Sequence, residues 1–251
     1  MVECMQINVK NTNINYVFYD NDSKINLVFL HGWGQNIQMM ESLAKAFIKK
    51  YNVLILDLPG FGKSDEPNFV WTVYDYCDML EELLIKLKIK NPILIGHSFG
   101  GKISLCYAIK YNPNKIVLLA SPYKKNIKKP TFKMKIYKFI KKIPYLNKLE
   151  SFVKKHVGST DYKNATNQMR KILVNHVNLD LTPDLSKIDC LTLLIWGTDD
   201  EAVSIEDGRN LEKLIKNAGI VEYEGCTHYA YLERLNQTIR VLDSFIGSDN
   251  K

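Results

Sequence analysis

Five short, almost wholly apolar runs constrain what this chain can fold into more than any other feature: residues 26–30, 53–56, 92–95, 115–119 and 191–196. Runs of that length, rich in Val, Ile and Leu, suit the strands of a parallel sheet, which are buried on both faces and need no polar side. Between them the apolar residues change to helical spacing. Met40, Leu43, Phe47 and Ile48 share a face of 38–50, and Val73, Tyr76, Cys77, Leu80, Leu83, Leu84 and Leu87 share a face of a later segment. Thr72 with Asp75, and Ser204 with Asp207, have capping-box spacing and mark helix starts. Helices are further expected over 102–111, from Ser204 to about Ala218, and over 237–246, with a strand at 220–223. Residues 5–9 and 15–19, joined by Asn-rich turn residues, form an expected antiparallel hairpin. Alternation of this kind specifies an α/β fold, a mostly parallel eight-stranded sheet with helices on both faces.

The alternation lapses once. From Pro122 to about Leu181 there is no convincing strand, only helical patterns broken by Pro130, Pro144 and Gly158. Residues 1–121 and 182–251 are therefore expected to form the core, and 122–181 a small helical cap inserted after strand six. The cap also concentrates the charge. The chain carries +7 overall, yet residues 122–160 hold twelve lysines against one acid, Glu150. Over 131–143, Phe132, Ile136, Phe139, Ile140 and Ile143 fall at helical spacing while lysines fill most other positions. Such a helix suits either a lid with a solvated outer face or a surface that attracts an anionic substrate or weakly contacts an anionic membrane. The basic residues come with no nucleic-acid motif and form no stripe outside the cap, which argues against a nucleic-acid partner.

A chain of 251 residues, 46% hydrophobic and 24% charged, suits a single globular domain. Its five cysteines are odd in number, scattered, and mostly set in apolar segments, as buried thiols are in a reducing cytoplasm. They show no metal-ligand spacing. No secretory pattern opens the sequence, and no apolar run approaches the roughly 18 residues of a membrane span. A cytoplasmic location is expected.

The run 92–95 leads straight into Gly96-His97-Ser98-Phe99-Gly100-Gly101 and then into helical spacing. A strand that turns at once into a helix strains the residue at the bend, and Gly96 and Gly100 let its two arms approach. Ser98 would stand at the end of the sheet, at the positive end of a helix, where a nucleophile that creates an oxyanion is well placed. A serine hydroxyl needs a base, and the base needs a third group to fix its tautomer. His31 and His97 lie beside turns and His156 and His176 in the cap, where structural roles are usual. His228 follows a strand end in Glu224-Gly225-Cys226-Thr227-His228, and such loops gather around one site in open α/β sheets. The acid candidates are Asp199 and Asp200, after the strand at 191–196. The N–H of Phe99 and one in the loop around Trp33, between Gly32 and Gly34, are candidate oxyanion donors.

Together these residues resemble the α/β-hydrolase fold family in its capped, serine-hydrolase branch. The resemblance spans nearly the whole chain. Leu30-His31-Gly32-Trp33-Gly34 is similar to the family's oxyanion loop, and Asp57-Leu58-Pro59-Gly60-Phe61-Gly62-Lys63-Ser64 to its Asp-x-Pro-Gly-x-Gly-x-Ser loop. Gly96 to Gly101 resembles its nucleophile elbow, and Gly225-Cys226-Thr227-His228 its histidine segment. Trp196-Gly197-Thr198-Asp199-Asp200 resembles Gly-x-x-Asp, which places the acid on Asp200. Lys63 stands where Arg is frequent, and Ser204 where Pro often follows the acid loop. The resemblance implies catalytic Ser98, Asp200 and His228, oxyanion N–H groups and substrate contacts from Trp33 and Phe99, and no metal or organic cofactor. The resemblance leaves the substrate open; the leading expectation is a serine hydrolase of small-molecule carboxylic esters or thioesters, with enol-lactone, carbon–carbon and prolyl-amide hydrolysis as alternatives. A non-catalytic small-molecule receptor on the same fold is the alternative of another class.

Overall fold

The computed structural model describes residues 4–125 and 165–250. All eight expected strands are present in one sheet: β1 (Met5–Val9), β2 (Thr12–Tyr19), β3 (Asn26–Leu30), β4 (Asn52–Leu56), β5 (Pro92–His97), β6 (Lys115–Leu119), β7 (Leu191–Gly197) and β8 (Ala218–Tyr223). Their order is β1-β2-β4-β3-β5-β6-β7-β8. β2 pairs antiparallel with β1 and β4, and every other pairing is parallel. The five apolar runs fall in the inner strands, whose two faces are both covered. Leu30, Leu54, Leu94 and Leu118 pack under α2 (Val73–Lys86), α3 (Phe99–Tyr111) and α5 (Ile205–Leu214). Phe29, Ile55, Ile95 and Val117 pack under α1 (Ile37–Ala44), α6 (Ala230–Glu233) and α7 (Leu235–Ile246) on the other face.

Local chemistry accounts for most boundaries. The Thr72–Asp75 capping box is complete: Thr72 accepts from the Asp75 N–H, and the Asp75 carboxylate accepts from the Thr72 N–H. At α5 only half the expected box forms. Ser204 Oγ accepts from the Asp207 N–H, but the Asp207 carboxylate turns to Lys124 at 2.6 Å. The helix expected over 38–50 stops at Ala44, where i to i+3 bonds at Ala46 and Phe47 tighten the chain and swing Phe47 and Tyr51 into the core. The α5 helix likewise ends at Leu214, short of Ala218, which opens β8.

After β6 the chain leaves the sheet and returns through α4 (Asn167–Asn178) and a 3-10 turn (Thr182–Lys187). The two arms meet where the Leu181 N–H donates to the Tyr123 carbonyl at 2.9 Å. The helix expected at 131–143, His156, and most of the lysine-rich run lie outside the described residues. Among the described residues no helix is long and apolar enough to cross a membrane.

The chain passes from β3 outward to β4, then crosses back to lay β5 on the other side of β3. That reversal opens a crevice at the strand carboxyl ends, where α/β sheets place ligands. Register sets Leu30 beside Gly96 and His97 beside Leu119. The bend after β5 is packed backbone to backbone: a Cβ on Gly100 would lie 2.3 Å from the Leu30 carbonyl oxygen, and one on Gly96 2.5 Å from the backbone of Gly100. Gly100→Ala should therefore destabilise the fold by about 3 kcal/mol, lowering Tm by roughly 6–12 °C. Thermal unfolding followed by circular dichroism tests this, and a shift under about 2 °C would show that the bend yields without cost.

Candidate active site

Ser98 occupies the bend with φ 50° and ψ −107°. This conformation is costly for any residue with a side chain, and it is held by the neighbouring strands. The Ser98 N–H donates to the Leu119 carbonyl at 2.9 Å and the Gly100 N–H to the His31 carbonyl at 3.1 Å. The backbone is thereby pinned on both sides of the serine. α3 begins at Phe99, so the unpaired N–H groups of a helix start lie directly behind the hydroxyl.

Of the two candidate acids, only Asp200 reaches His228. Its Oδ2 accepts from His228 Nδ1 at 2.7 Å, while Oδ1 accepts the N–H groups of Ala202 and Val203 at 2.8 and 2.9 Å. The Asp200 side chain is fully buried and that of His228 keeps 18% exposure. Asp199 is exposed and takes the Thr198 hydroxyl instead. The acid and histidine loops are stitched together: Thr198 N–H donates to the Tyr223 carbonyl and Asp199 N–H to the Cys226 carbonyl. Gly197 permits this approach, since a Cβ there would lie 2.1 Å from the Cys226 carbonyl oxygen.

His97 joins this pair to the elbow. Its Nε2 lies 3.1 Å from the His228 carbonyl and its Nδ1 3.2 Å from Gln35 Oε1. A neutral ring can donate to one of these oxygens at a time. Gln35 Oε1 accepts the Gly32 N–H at 2.9 Å, and its Nε2 donates to the Tyr229 hydroxyl. The Gly32 amide is thus occupied, whereas among the described residues no acceptor takes the N–H of Trp33 or Phe99. The loop is braced from beneath by His31, whose Nδ1 donates to the Gly32 carbonyl at 2.7 Å while Nε2 accepts the Leu58 N–H at 2.9 Å. The Asp57 carboxylate accepts from Asn15 Nδ2, Ile37 N–H and Lys63 N–H at 2.7–2.8 Å, tying β2 and the start of α1 to the loop after β4.

The ring of Phe99 is enclosed. Trp33, Phe61, Tyr76 and His176 stand around it with centroids 5.3, 6.3, 5.1 and 4.6 Å away. Trp33 is half-buried. Sequence reading missed Gln35 and Lys102. Gln35 carries no signal beyond following a glycine turn, whereas Lys102 is a cation inside the apolar helix behind the elbow. Lys102 is fully buried, and Nζ donates to the His176 and Leu179 carbonyls at the end of α4 at 2.8 and 2.7 Å. Burial lowers its pKa to about 8. Among the described residues no cluster of three His, Cys, Asp or Glu side chains could hold a metal ion.

Three site histidines are held neutral. Burial lowers the pKa of His31 to about 4. It lowers His97 to about 3, with the neighbouring His228 adding to the effect, and His176 to about 3, with the Lys102 charge adding. The unfolded chain binds these protons below about pH 6.5, so stability should be lost as pH falls from there toward 4. Near pH 5 the three together should contribute about 4 kcal/mol per pH unit. Urea unfolding between pH 7 and pH 5 measures the slope, and His31→Gln should remove about a third of it. A stability unchanged across that range would mean that these rings take up protons in the folded chain.

Comparison with known proteins agrees with this fold. The family model described as alpha/beta hydrolase fold matches residues 25–148. An uncharacterized hydrolase of Bacillus subtilis, YugF, is 27% identical over 90% of this chain and 91% of its own length. A proline iminopeptidase of Saccharolobus solfataricus is 27% identical over 93% of this chain and 89% of its own. The solved esterase from Exiguobacterium antarcticum superposes with a TM-score of 0.75 at 21% identity, covering 98% of this chain and 99% of that one.

Proposed function

Because the chain belongs to the α/β-hydrolase fold family and its full-length relatives are hydrolases, we propose that it is a serine hydrolase of small carboxylic esters or thioesters that works through an acyl-enzyme at Ser98. The observation that carries this reading is the Asp200–His228 hydrogen bond of 2.7 Å, linked through His97 to the bend that carries Ser98. Asp200 holds the His228 proton on Nδ1, which leaves Nε2 with the lone pair of a general base. Ser98 Oγ attacks the ester carbonyl carbon as its proton passes to His228 Nε2. The carbonyl oxygen becomes an oxyanion, held by the N–H groups of Trp33 and Phe99. Collapse breaks the bond to the leaving alkoxide or thiolate, which takes the proton from His228. Water, deprotonated by the same nitrogen, then releases the acid and restores Ser98.

Esters are favoured over amides because alkoxide and thiolate leave more readily than an amine. The chemistry needs no group beyond those named. Ser98→Ala should cut turnover of p-nitrophenyl esters by several orders of magnitude without changing the fold. Asp200→Asn, which misplaces the histidine proton, should cost on the order of 10⁴-fold, and Asp199→Asn far less. A fluorophosphonate probe should label the wild-type protein at Ser98. Near-normal turnover by folded Ser98→Ala would overturn the mechanism. Faster cleavage of lactone, carbon–carbon or prolyl substrates would move the substrate class, and failure of the wild type to label would favour a receptor.

A further inference from the structure

We propose that His176 is a specificity-determining residue of this site: set against the Trp33 and Phe99 rings, its imidazole selects acyl groups bearing an oxo or hydroxyl oxygen over plain hydrocarbon chains. The inference deepens the hydrolase reading above and rests on it. The ring lies parallel to Trp33, 3° between planes with centroids 6.2 Å apart, and meets Phe99 edge-on at 4.6 Å. It therefore flanks the two residues whose N–H groups would hold the oxyanion.

The placement is anchored along the whole helix. Lys102 holds the carbonyls of His176 and Leu179, and Asn175 Nδ2 donates to the Trp71 carbonyl at 3.3 Å. At the other end Thr166 donates to Glu66, Gln168 to the Pro67 carbonyl, and Met169 lies over Gly60. Lys102 is one helical turn beyond Ser98, so the elbow helix itself positions His176.

The chemistry of the ring separates it from mere packing. Phe or Leu would fill the same space without a polar atom. His176 is only 7% exposed, and its Nδ1 is buried with no hydrogen-bond partner among the described residues. Buried polar atoms are almost always satisfied, so an exception beside a substrate crevice calls for a reason. The unpartnered atom is the one a ligand must satisfy, and with the proton on Nδ1 the group that satisfies it is an acceptor. The burial and the Lys102 charge that keep the ring neutral also keep it from being a cation that would attract carboxylates. What it offers is one N–H donor, and the matching ligand group is a neutral oxygen acceptor on the acyl chain.

The test compares p-nitrophenyl hexanoate with its 3-hydroxy and 5-oxo analogues. Wild-type kcat/KM should favour one of the oxygenated esters by about 10-fold, the worth of one hydrogen bond in such a site. His176→Phe, which keeps the ring but loses the donor, should bring the ratio near one while plain hexanoate is still cleaved. His176→Gln, which keeps a donor, should restore part of the preference. No preference in the wild type, or an equal preference in His176→Phe, would overturn the proposal. Calorimetric binding of the free acids, hexanoate against 3-hydroxyhexanoate and 5-oxohexanoate, reads the same selectivity without turnover. If an oxygenated acid binds in a His176-dependent way and no ester is cleaved, the hydrolase reading fails and this one stands. If esters are cleaved with no His176-dependent preference, the reverse holds, and if neither occurs both fail.

Discussion

The contact on which everything else depends is the close approach of Gly100 to the carbonyl of Leu30 across the crevice between β3 and β5. Side chains would hold these two backbones apart; without them, the Gly100 N–H reaches the His31 carbonyl. One hydrogen bond then fixes the start of the loop after β3 against the start of the elbow helix. The positive φ of Ser98 follows from the same constraint, since the chain must reverse within one residue to follow both β5 and α3. Backbone strain of this kind costs about 1–3 kcal/mol, and it persists because strands on either side over-determine it.

Around that contact the loops are joined by polar groups that water does not reach. His31 bridges the loop after β3 to the segment after β4, Asp57 gathers three donors from three parts of the chain, and His97 spans Gln35 and the His228 carbonyl. Removing one partner from such a network exposes the remainder to the full desolvation cost, about 1–3 kcal/mol per group. The network makes the crevice rigid, as the oxyanion stabilisation we propose would require, because donors must be in place before charge develops. It also makes the crevice sensitive to acid, since its histidines are neutral by burial and not by choice of partner.

Much of this was legible from residue order. Apolar runs of strand length, helical spacing between them and glycines at the bend all reflect local or one-dimensional constraints. The eight-stranded sheet and the elbow followed from them. The choice of Asp200 over Asp199 was not contained in spacing between charged residues. It came from likeness to Gly-x-x-Asp, and its physical cause is the turn that buries one carboxylate and exposes the other. The half-formed box at Ser204 was misread because Lys124, eighty-odd positions earlier, competes for Asp207. Gln35 and His176 were invisible as site groups for the same reason: their significance lies in partners far away in sequence.

Two buried lysines show how a basic side chain can serve as a joint. Lys115, at the start of β6, donates to the carbonyls of Phe245 and Ile246 and to Ser248, closing α7 onto the sheet. Lys102 does the same for α4. In each case an ammonium group satisfies carbonyls at a helix C-terminus, where the helix dipole favours positive charge. The settings differ in consequence. Lys115 closes an edge remote from the crevice, whereas Lys102 rides on the helix that begins behind Ser98. Any shift of α3 that moves Ser98 also moves the end of α4, and with it the His176 ring that leans on Trp33 and Phe99. Ser98, the Trp33 and Phe99 residues and the His176 ring are therefore one mechanical unit, centred on a single helix.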